Sequence, residues 1–279
     1  MSKIKPLILI DTSYTSFYRF FATIKWFSLA HPEDFIILKL DNKYDWSTNK
    51  IFIQKYEKMY LESIVKLVKK KIFDNSNIIF CMDTPKEKLW RTEIQNDYKS
   101  GRTDLSLKYN FKTTFDYTYN ILIPKIIDNN NNIKKIRVDE VEADDIIAVI
   151  CINFLNDINQ KIYLVSGDED FLQLGRDNII FINYKKKKPF VLTVDEARLS
   201  LHNKIINGDS SDYIPSIFPK GKRINKKELI ESSDKLNNYL ELNIEANDQY
   251  NKNKLMIDFK NIPKKYFNNI IKIFNDLFN

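Results

Sequence analysis

Three short apolar runs, PLILID (Pro6–Asp11), IIFCMD (Ile78–Asp83) and IYLVSGD (Ile162–Asp168), each end in aspartate. Each has the length and β-branched content of a buried strand, and helix-like segments separate them. The alternation predicts an α/β fold with a central, mostly parallel sheet flanked by helices. In such sheets the functional crevice lies beyond the carboxyl ends of the strands, so Asp11, Asp83 and Asp168 are expected at one edge. One aspartate after a strand is an ordinary turn or N-cap residue, as Asp11-Thr12-Ser13 can be. Three in equivalent places suggest a site.

The stretch DEVEADDIIAVICINFL (Asp139–Leu155) reads as a helix with acids in its first turns. The helix dipole accounts for one or two of them. Five acids in seven residues (Asp139, Glu140, Glu142, Asp144, Asp145) repel one another unless some bind cations. Glu142 and Asp145 are three apart and share a face, whereas Asp144 projects elsewhere, held by the start of the helix. Thr84–Tyr119, rich in Lys, Arg and Tyr, reads as a helical excursion over the sheet edge. DNNNNIKK (Asp128–Lys135) reads as a polar loop, and Lys185–Lys188 as a solvated hairpin tip. The last 80 or so residues carry helical stripes (Leu229, Leu236, Leu240, Leu242, then Ile270, Ile271, Ile273, Phe274, Leu277, Phe278) of the kind that form core.

The 279 residues suffice for a full core. Cys81 and Cys151 sit in apolar runs as buried thiols and are too few for a disulfide framework. No apolar stretch approaches bilayer length, and Met1 leads directly into Leu7–Ile10 without a signal-peptide pattern, so an intracellular protein, cytoplasmic or DNA-associated and with no membrane contact, is expected. Net charge is +7, and because many acids fall in the suspected site, the remaining surface is the more basic and suits phosphate backbones.

Histidine is scarce, with His31 and His202 only, and there is no Cys/His zinc spacing, glycine-rich phosphate loop or G-x-S-x-G elbow. What remains is oxygen. A dense carboxylate set without nitrogen or sulfur ligands selects hard cations, Mg²⁺ or Mn²⁺. Two such ions roughly 4 Å apart can activate a water and stabilise the leaving oxygen of a phosphodiester.

Four ordered strings carry a resemblance: DTPKEKLWRTEIQNDYKSGR (Asp83–Arg102), VEADD (Val141–Asp145), SGDEDFLQL (Ser166–Leu174) and INGDSSDYIPSI (Ile206–Ile217). They resemble the motifs of the flap-endonuclease and 5′-3′ exonuclease family, PIN-like nucleases that include the bacteriophage ribonuclease H type. KLMIDFKNIP (Lys254–Pro263) adds a weaker likeness to the C-terminal part of that phage group. The resemblance implies a structure-specific 5′-nuclease that removes DNA flaps or RNA primers in replication and repair. It implies a nuclease core over 1–200, including a helical arch at about 84–120, and a helical C-terminal DNA-binding region over 201–279.

The family's functional residues carry over by position. Asp11, Asp83, Glu142 and Asp144 would hold a first metal, and Asp145, Asp168, Asp170 and Asp212 a second, with Asp209 in an outer shell. The ions would be two Mg²⁺, with Mn²⁺ as substitute and K⁺ as a further candidate. Lys99 and Arg102 match the positive pair at the base of the arch that contacts the scissile phosphate. Arg91 would contact phosphate, and Tyr98 either stacks on a base or packs within the arch. After Asp212 the chain departs from the family: instead of a G-V-x-G-I-G hairpin, whose backbone binds a monovalent cation such as K⁺, it reads PSIFPKGKRINKKELI. Lys220, Lys222, Arg223, Lys226 and Lys227 would then supply duplex contacts by charge. Trp26–Lys50 is an insertion without an assigned role.

The expected partners are branched or 5′-ended DNA and RNA-DNA primer junctions, met by a monomer. The tail IKIFNDLFN offers no motif for a sliding clamp, and none for a single-strand-binding protein is seen. Two rival readings are a catalytically silent branched-DNA-binding protein and a PIN-type single-strand ribonuclease. The full set of carboxylates speaks against the first; the DYKSGR and GDSSDYIP segments speak against the second.

Overall fold

The structure, a computed structural model, describes residues 4–85, 88–100, 109–186, 188–218 and 226–277. Five parallel strands form one sheet: β1 (Leu7–Asp11), β2 (Asn77–Met82), β3 (Ile133–Arg137), β4 (Ile162–Val165) and β5 (Ile179–Ile182), in the order β3-β2-β1-β4-β5. The three apolar runs are β1, β2 and β4. β3 occupies part of the expected polar loop: Ile133 and Ile136 are buried while Lys134 and Lys135 are not, so this edge strand lacks the continuous apolar signature of its neighbours.

Alternation along β1 divides the interior into two layers. Leu7 and Leu9 face a core shared with Ile79, Cys81 and the helix Ala143–Asn153, onto which Tyr266, Ile270 and Phe274 of the C-terminal helix Lys264–Asp276 also pack. Ile8 and Ile10 face the other side, where Phe20, Phe52, Tyr56 and Tyr60 of the helices Thr12–Ala30 and Lys50–Val68 close over the sheet. Both cysteines are free and buried. Of the leucine stripe, Leu229, Leu236 and Leu240 are buried, while Leu242 is exposed. Among the described residues no helix is long and apolar enough to cross a membrane.

The expected helix from Asp139 starts later, at Ala143, because Glu142 is its N-cap: Glu142 and Asp145 form a reciprocal capping box. Glu140, before it, holds a left-handed backbone with φ 67°. The insertion also gains a place in the fold. Trp46, 1% exposed, packs among Phe27, Phe35, Tyr44 and Phe52, and Asn110 donates to the Lys43 carbonyl at 3.0 Å. The insertion thereby braces the start of the helical stretch Phe111–Asp128.

In that stretch Thr118–Leu122 forms a π turn, with Ile123 N–H bonded to the carbonyl of Thr118 five residues back. Pro124 supplies a reason: it has no N–H to continue the α ladder.

Candidate metal centre

β1 is the central strand; the chain runs from it outward through β2 and β3 on one side, then crosses back to β4 and β5 on the other. The crevice beyond their carboxyl ends is therefore a topological switch point. Asp11 ends β1 and caps the following helix, accepting from Tyr14 N at 2.9 Å and from Ser166 Oγ at 2.8 Å. Asp83 follows β2; its Oδ1 accepts from Ala143 N at 2.7 Å, and its Oδ2 accepts from Ser13 Oγ. Asp83 thus sits at the N-terminus of the helix Ala143–Asn153, where the dipole favours negative charge. Asp168 follows β4 and caps the short 3-10 turn Glu169–Leu174 through Asp170 N at 2.9 Å.

Gly167, between Ser166 and Asp168, lies against the phenol ring of Tyr14; a Cβ there would overlap it. Glycine is what lets the backbone pass this close.

The electrostatics show how tightly the acids are gathered. Burial, then the neighbouring Asp83, push the Asp11 carboxyl up to about 7, with Asp168 adding to the effect. Burial, then Asp11 and Asp168, raise Asp144 well above the usual carboxylate range. Burial raises Asp83 as well, against the hydrogen bonds from Ser13 and Ala143. Glu142 goes the other way: burial works to raise it, but Lys99 and Arg91 hold it down to about 2. Carboxylates from three strand ends and one helix start thus share a single low-dielectric region. An all-oxygen donor set in which several members resist ionising suits hard divalent cations, whose charge would relieve the repulsion.

A second group adjoins the first. Ligand oxygens of Asp170, Asp209 and Asp212 lie within 4.8 Å of one another, and these three line one small cavity together with Glu142 and Asp144. Gly208, at φ 71°, makes the turn into Asp209, where a side chain would strike the backbone of Ile214 and Pro215. Lys204 pairs with Asp170 and, at 2.9 Å, with Asp209. Nothing in the sequence pattern singled out Lys204, which looks like one more lysine on an amphipathic helix. Ser13 and Ser166 were likewise missed, although each lies within two residues of a predicted aspartate.

Asp145, Asp144 and Arg91 are placed otherwise than expected, and Tyr98 takes one of its two readings. Asp145 is fully buried and does not face the other acids: its oxygens accept from Arg91 Nη2 at 2.7 Å, Arg91 Nη1 at 2.9 Å, Trp90 Nε1 at 3.0 Å and Glu142 N at 3.1 Å. Asp144, expected to be held by the helix start, is the one close to Asp11 and Asp168. Arg91, expected on phosphate, is 4% exposed and also bonds Glu142 Oε2 at 3.1 Å and the Met256 carbonyl at 2.9 Å. Tyr98, with stacking on a base as one of its two readings, is buried; its hydroxyl donates to Glu142 Oε2 at 2.9 Å and its ring packs among Leu89, Ile205 and Ile214. The packing alternative describes it.

Lys99, left-handed at φ 58°, directs Nζ at Glu142 Oε1 and lies 3.7 Å from Asp212 Oδ2. Arg102, Lys220, Lys222 and Arg223 lie outside the described residues.

The chain matches the family model of the 5′-3′ exonuclease N-terminal, resolvase-like domain over residues 6–202. It is 28% identical to the ribonuclease H of Enterobacteria phage T4 over 245 residues, covering 81% of this chain and 79% of the relative. It is also 28% identical to a 5′-3′ exonuclease of Buchnera aphidicola over 163 residues, covering 56% of this chain and about half, 53%, of the relative. In fold it resembles the bacteriophage T5 flap endonuclease solved in a pseudo-enzyme-product complex with DNA and metal ions, at TM-score 0.62 and 15% identity, covering 98% of both chains.

Proposed function

Because the chain belongs to the 5′-3′ exonuclease family, we propose that it is a structure-specific 5′-nuclease that hydrolyses phosphodiester bonds of DNA flaps and RNA primers with the help of two Mg²⁺ ions. Mn²⁺ would substitute. The observation that carries this reading is the meeting of a buried Asp11 with the half-buried Asp83, Asp144 and Asp168 in one crevice, with Asp11 pushed up to about 7 by burial and Asp83. A site with that much unrelieved negative charge is built to take up cations before it works.

Asp11, Asp83, Glu142, Asp144 and Asp168 would hold the first ion between them, directly or through water. Asp170 and Asp212 would form the second position, with Asp209 supporting them. Bound there, the ions supply an activated water and charge stabilisation for the leaving oxygen in an in-line displacement. Lys99, drawn in by Glu142 and Asp212, is placed to meet a scissile phosphate and balance charge developing on it, with Arg102 as its partner. Asp145 and Arg91 take a different part. Their ion pair fixes the helix start, and Arg91 holds Glu142 ionised.

DNA with a 5′ end or branch is the substrate this arrangement suits, and the metal- and DNA-bound phage T5 relative of the same fold supports it. Lys220, Lys222 and Arg223 would follow the duplex backbone by charge, with residues 201–279 as the duplex-binding part. The chain would act as a monomer. Incubation of end-labelled flap, nicked and RNA-primed duplexes with the protein and Mg²⁺ tests the proposal. Release of short 5′ products that EDTA suppresses is expected; intact substrates in all three lanes would refute it.

A further inference from the structure

Tyr119 stands on the π turn Thr118–Leu122, on the helical stretch that the insertion braces, and its hydroxyl lies 2.8 Å from Ser13 Oγ. Ser13 Oγ in turn donates to Asp83 Oδ2. These two contacts form a chain: Tyr119 O–H to Ser13, Ser13 O–H to Asp83. A hydroxyl carries one hydrogen, so with Ser13 committed to Asp83 it must accept from Tyr119.

The chain acts on one carboxylate only. Oδ2 of Asp83 is tied to it, while Oδ1 is tied to the start of the helix Ala143–Asn153. Both oxygens are thus oriented from outside, and their remaining lone pairs are aimed by those two attachments. The Tyr119 end of the chain is itself fixed. Thr118 bonds Tyr56 at 2.8 Å, Tyr117 bonds Glu57, and Lys125 reaches Glu57 at 3.3 Å, which ties the π turn to the helix Lys50–Val68. A π turn displaces the following residues around the helix axis, and such turns recur where a side chain must be aimed.

We infer that Tyr119 is a positioning residue for Asp83, acting through Ser13, and that it sets the affinity of the carboxylate site for divalent cations. The inference rests on the proposed metal-dependent reading. Partners that orient a ligating carboxylate typically change metal affinity by about 10- to 100-fold when removed. Packing needs only the ring of Tyr119; positioning needs its hydroxyl, and Tyr119→Phe separates the two.

The test is Mn²⁺ binding to wild type, Tyr119→Phe, Ser13→Ala and the double variant, followed by electron paramagnetic resonance of the free ion, with thermal unfolding of the metal-free proteins alongside. Tyr119→Phe is expected to weaken Mn²⁺ binding about tenfold with little change in metal-free unfolding. The double variant is expected to lose no more than Ser13→Ala alone, since Tyr119 reaches Asp83 only through Ser13. Cleavage by Tyr119→Phe should recover at high Mg²⁺ with the KM for DNA unchanged. Unaltered Mn²⁺ affinity in Tyr119→Phe overturns the inference, as does a lowered unfolding temperature with an unmoved binding curve. If wild type itself binds no Mn²⁺, it is the metal-dependent reading that fails.

Discussion

Arg91 and Asp145 form a buried bidentate ion pair, Nη2 to Oδ1 at 2.7 Å and Nη1 to Oδ2 at 2.9 Å, with 4% and 0% of the two residues exposed. Removing one partner of such a pair strands the other's charge in a low dielectric. Arg91→Ala should therefore destabilise the fold by about 3–5 kcal/mol. Arg91→Lys should restore little, because an ammonium cannot make the paired contacts. Urea unfolding measures this. An Arg91→Ala protein of wild-type stability with a raised KM for DNA would return Arg91 to the phosphate-contacting role its position in the motif suggested.

Metal-free protein should grow less stable as pH rises. Asp11 is shifted up, to about 7 from 3.8, by burial and by Asp83, so between those values the folded state keeps a proton that the unfolded chain has released. Stability then falls with increasing pH across that window. Asp83 and Asp144 act in the same direction. Glu142, held down to about 2 from 4.5, contributes the opposite slope between those values, which meets that window only at its acid end. In EDTA, the unfolding temperature should climb from pH 8 to pH 5, and Asp11→Asn should raise it at pH 8 and flatten the profile. A flat wild-type profile would mean that Asp11 is not crowded by like charge.

Saturating Mg²⁺ or Mn²⁺ should reverse that loss. An ion present at 100 times its dissociation constant stabilises by about 2.7 kcal/mol if it binds only the folded state. The gain should be seen in thermal unfolding at pH 8 and should shrink in Asp144→Asn, which removes one of the crowded carboxylates. Equal stabilisation of both proteins would place the ions elsewhere.

Gly167→Ala should be costly although glycine to alanine is the mildest of changes. The new Cβ would fall on the Tyr14 phenol, forcing out either the ring or the turn that carries Asp168. Overpacking of this kind costs about 1–3 kcal/mol. Gly167→Ala combined with Tyr14→Ala should recover most of it, as denaturant titration of the four proteins can establish. A Gly167→Ala protein with unaltered stability would show that the Tyr14 ring gives way freely.

The parts of this architecture legible in the sequence are those where one residue type carries the signal. Asp11, Asp83 and Asp168 each follow a run that could only be a buried strand, and parallel strands bring their ends together whatever lies between. β3 was hidden because Lys134 and Lys135 point outward on an edge strand, so its letters resemble the loop before it. The acids after Val141 announced a site, but not which of them serves it. Helical spacing cannot tell that Glu142 stands outside the helix as its cap, and it is the cap that turns Asp145 inward and leaves Asp144 facing Asp11 and Asp168. The expectation of Arg91 on phosphate, and the stacking half of the two readings of Tyr98, have a related cause: a charged or aromatic residue in a basic segment looks available for DNA until its buried partners, here Asp145 and Glu142, are known. Lys204 and Tyr119 depend wholly on tertiary contact, and no local pattern marks them.

The most direct measurement is cleavage of an end-labelled 5′-flap duplex by wild type and by Asp168→Asn, with and without EDTA, alongside a gel shift on the same DNA. Wild type should cut in Mg²⁺ and stop in EDTA, while Asp168→Asn binds the flap and leaves it whole. Cutting by Asp168→Asn at the wild-type rate, or by wild type in the presence of EDTA, would contradict a reaction run by carboxylate-held ions.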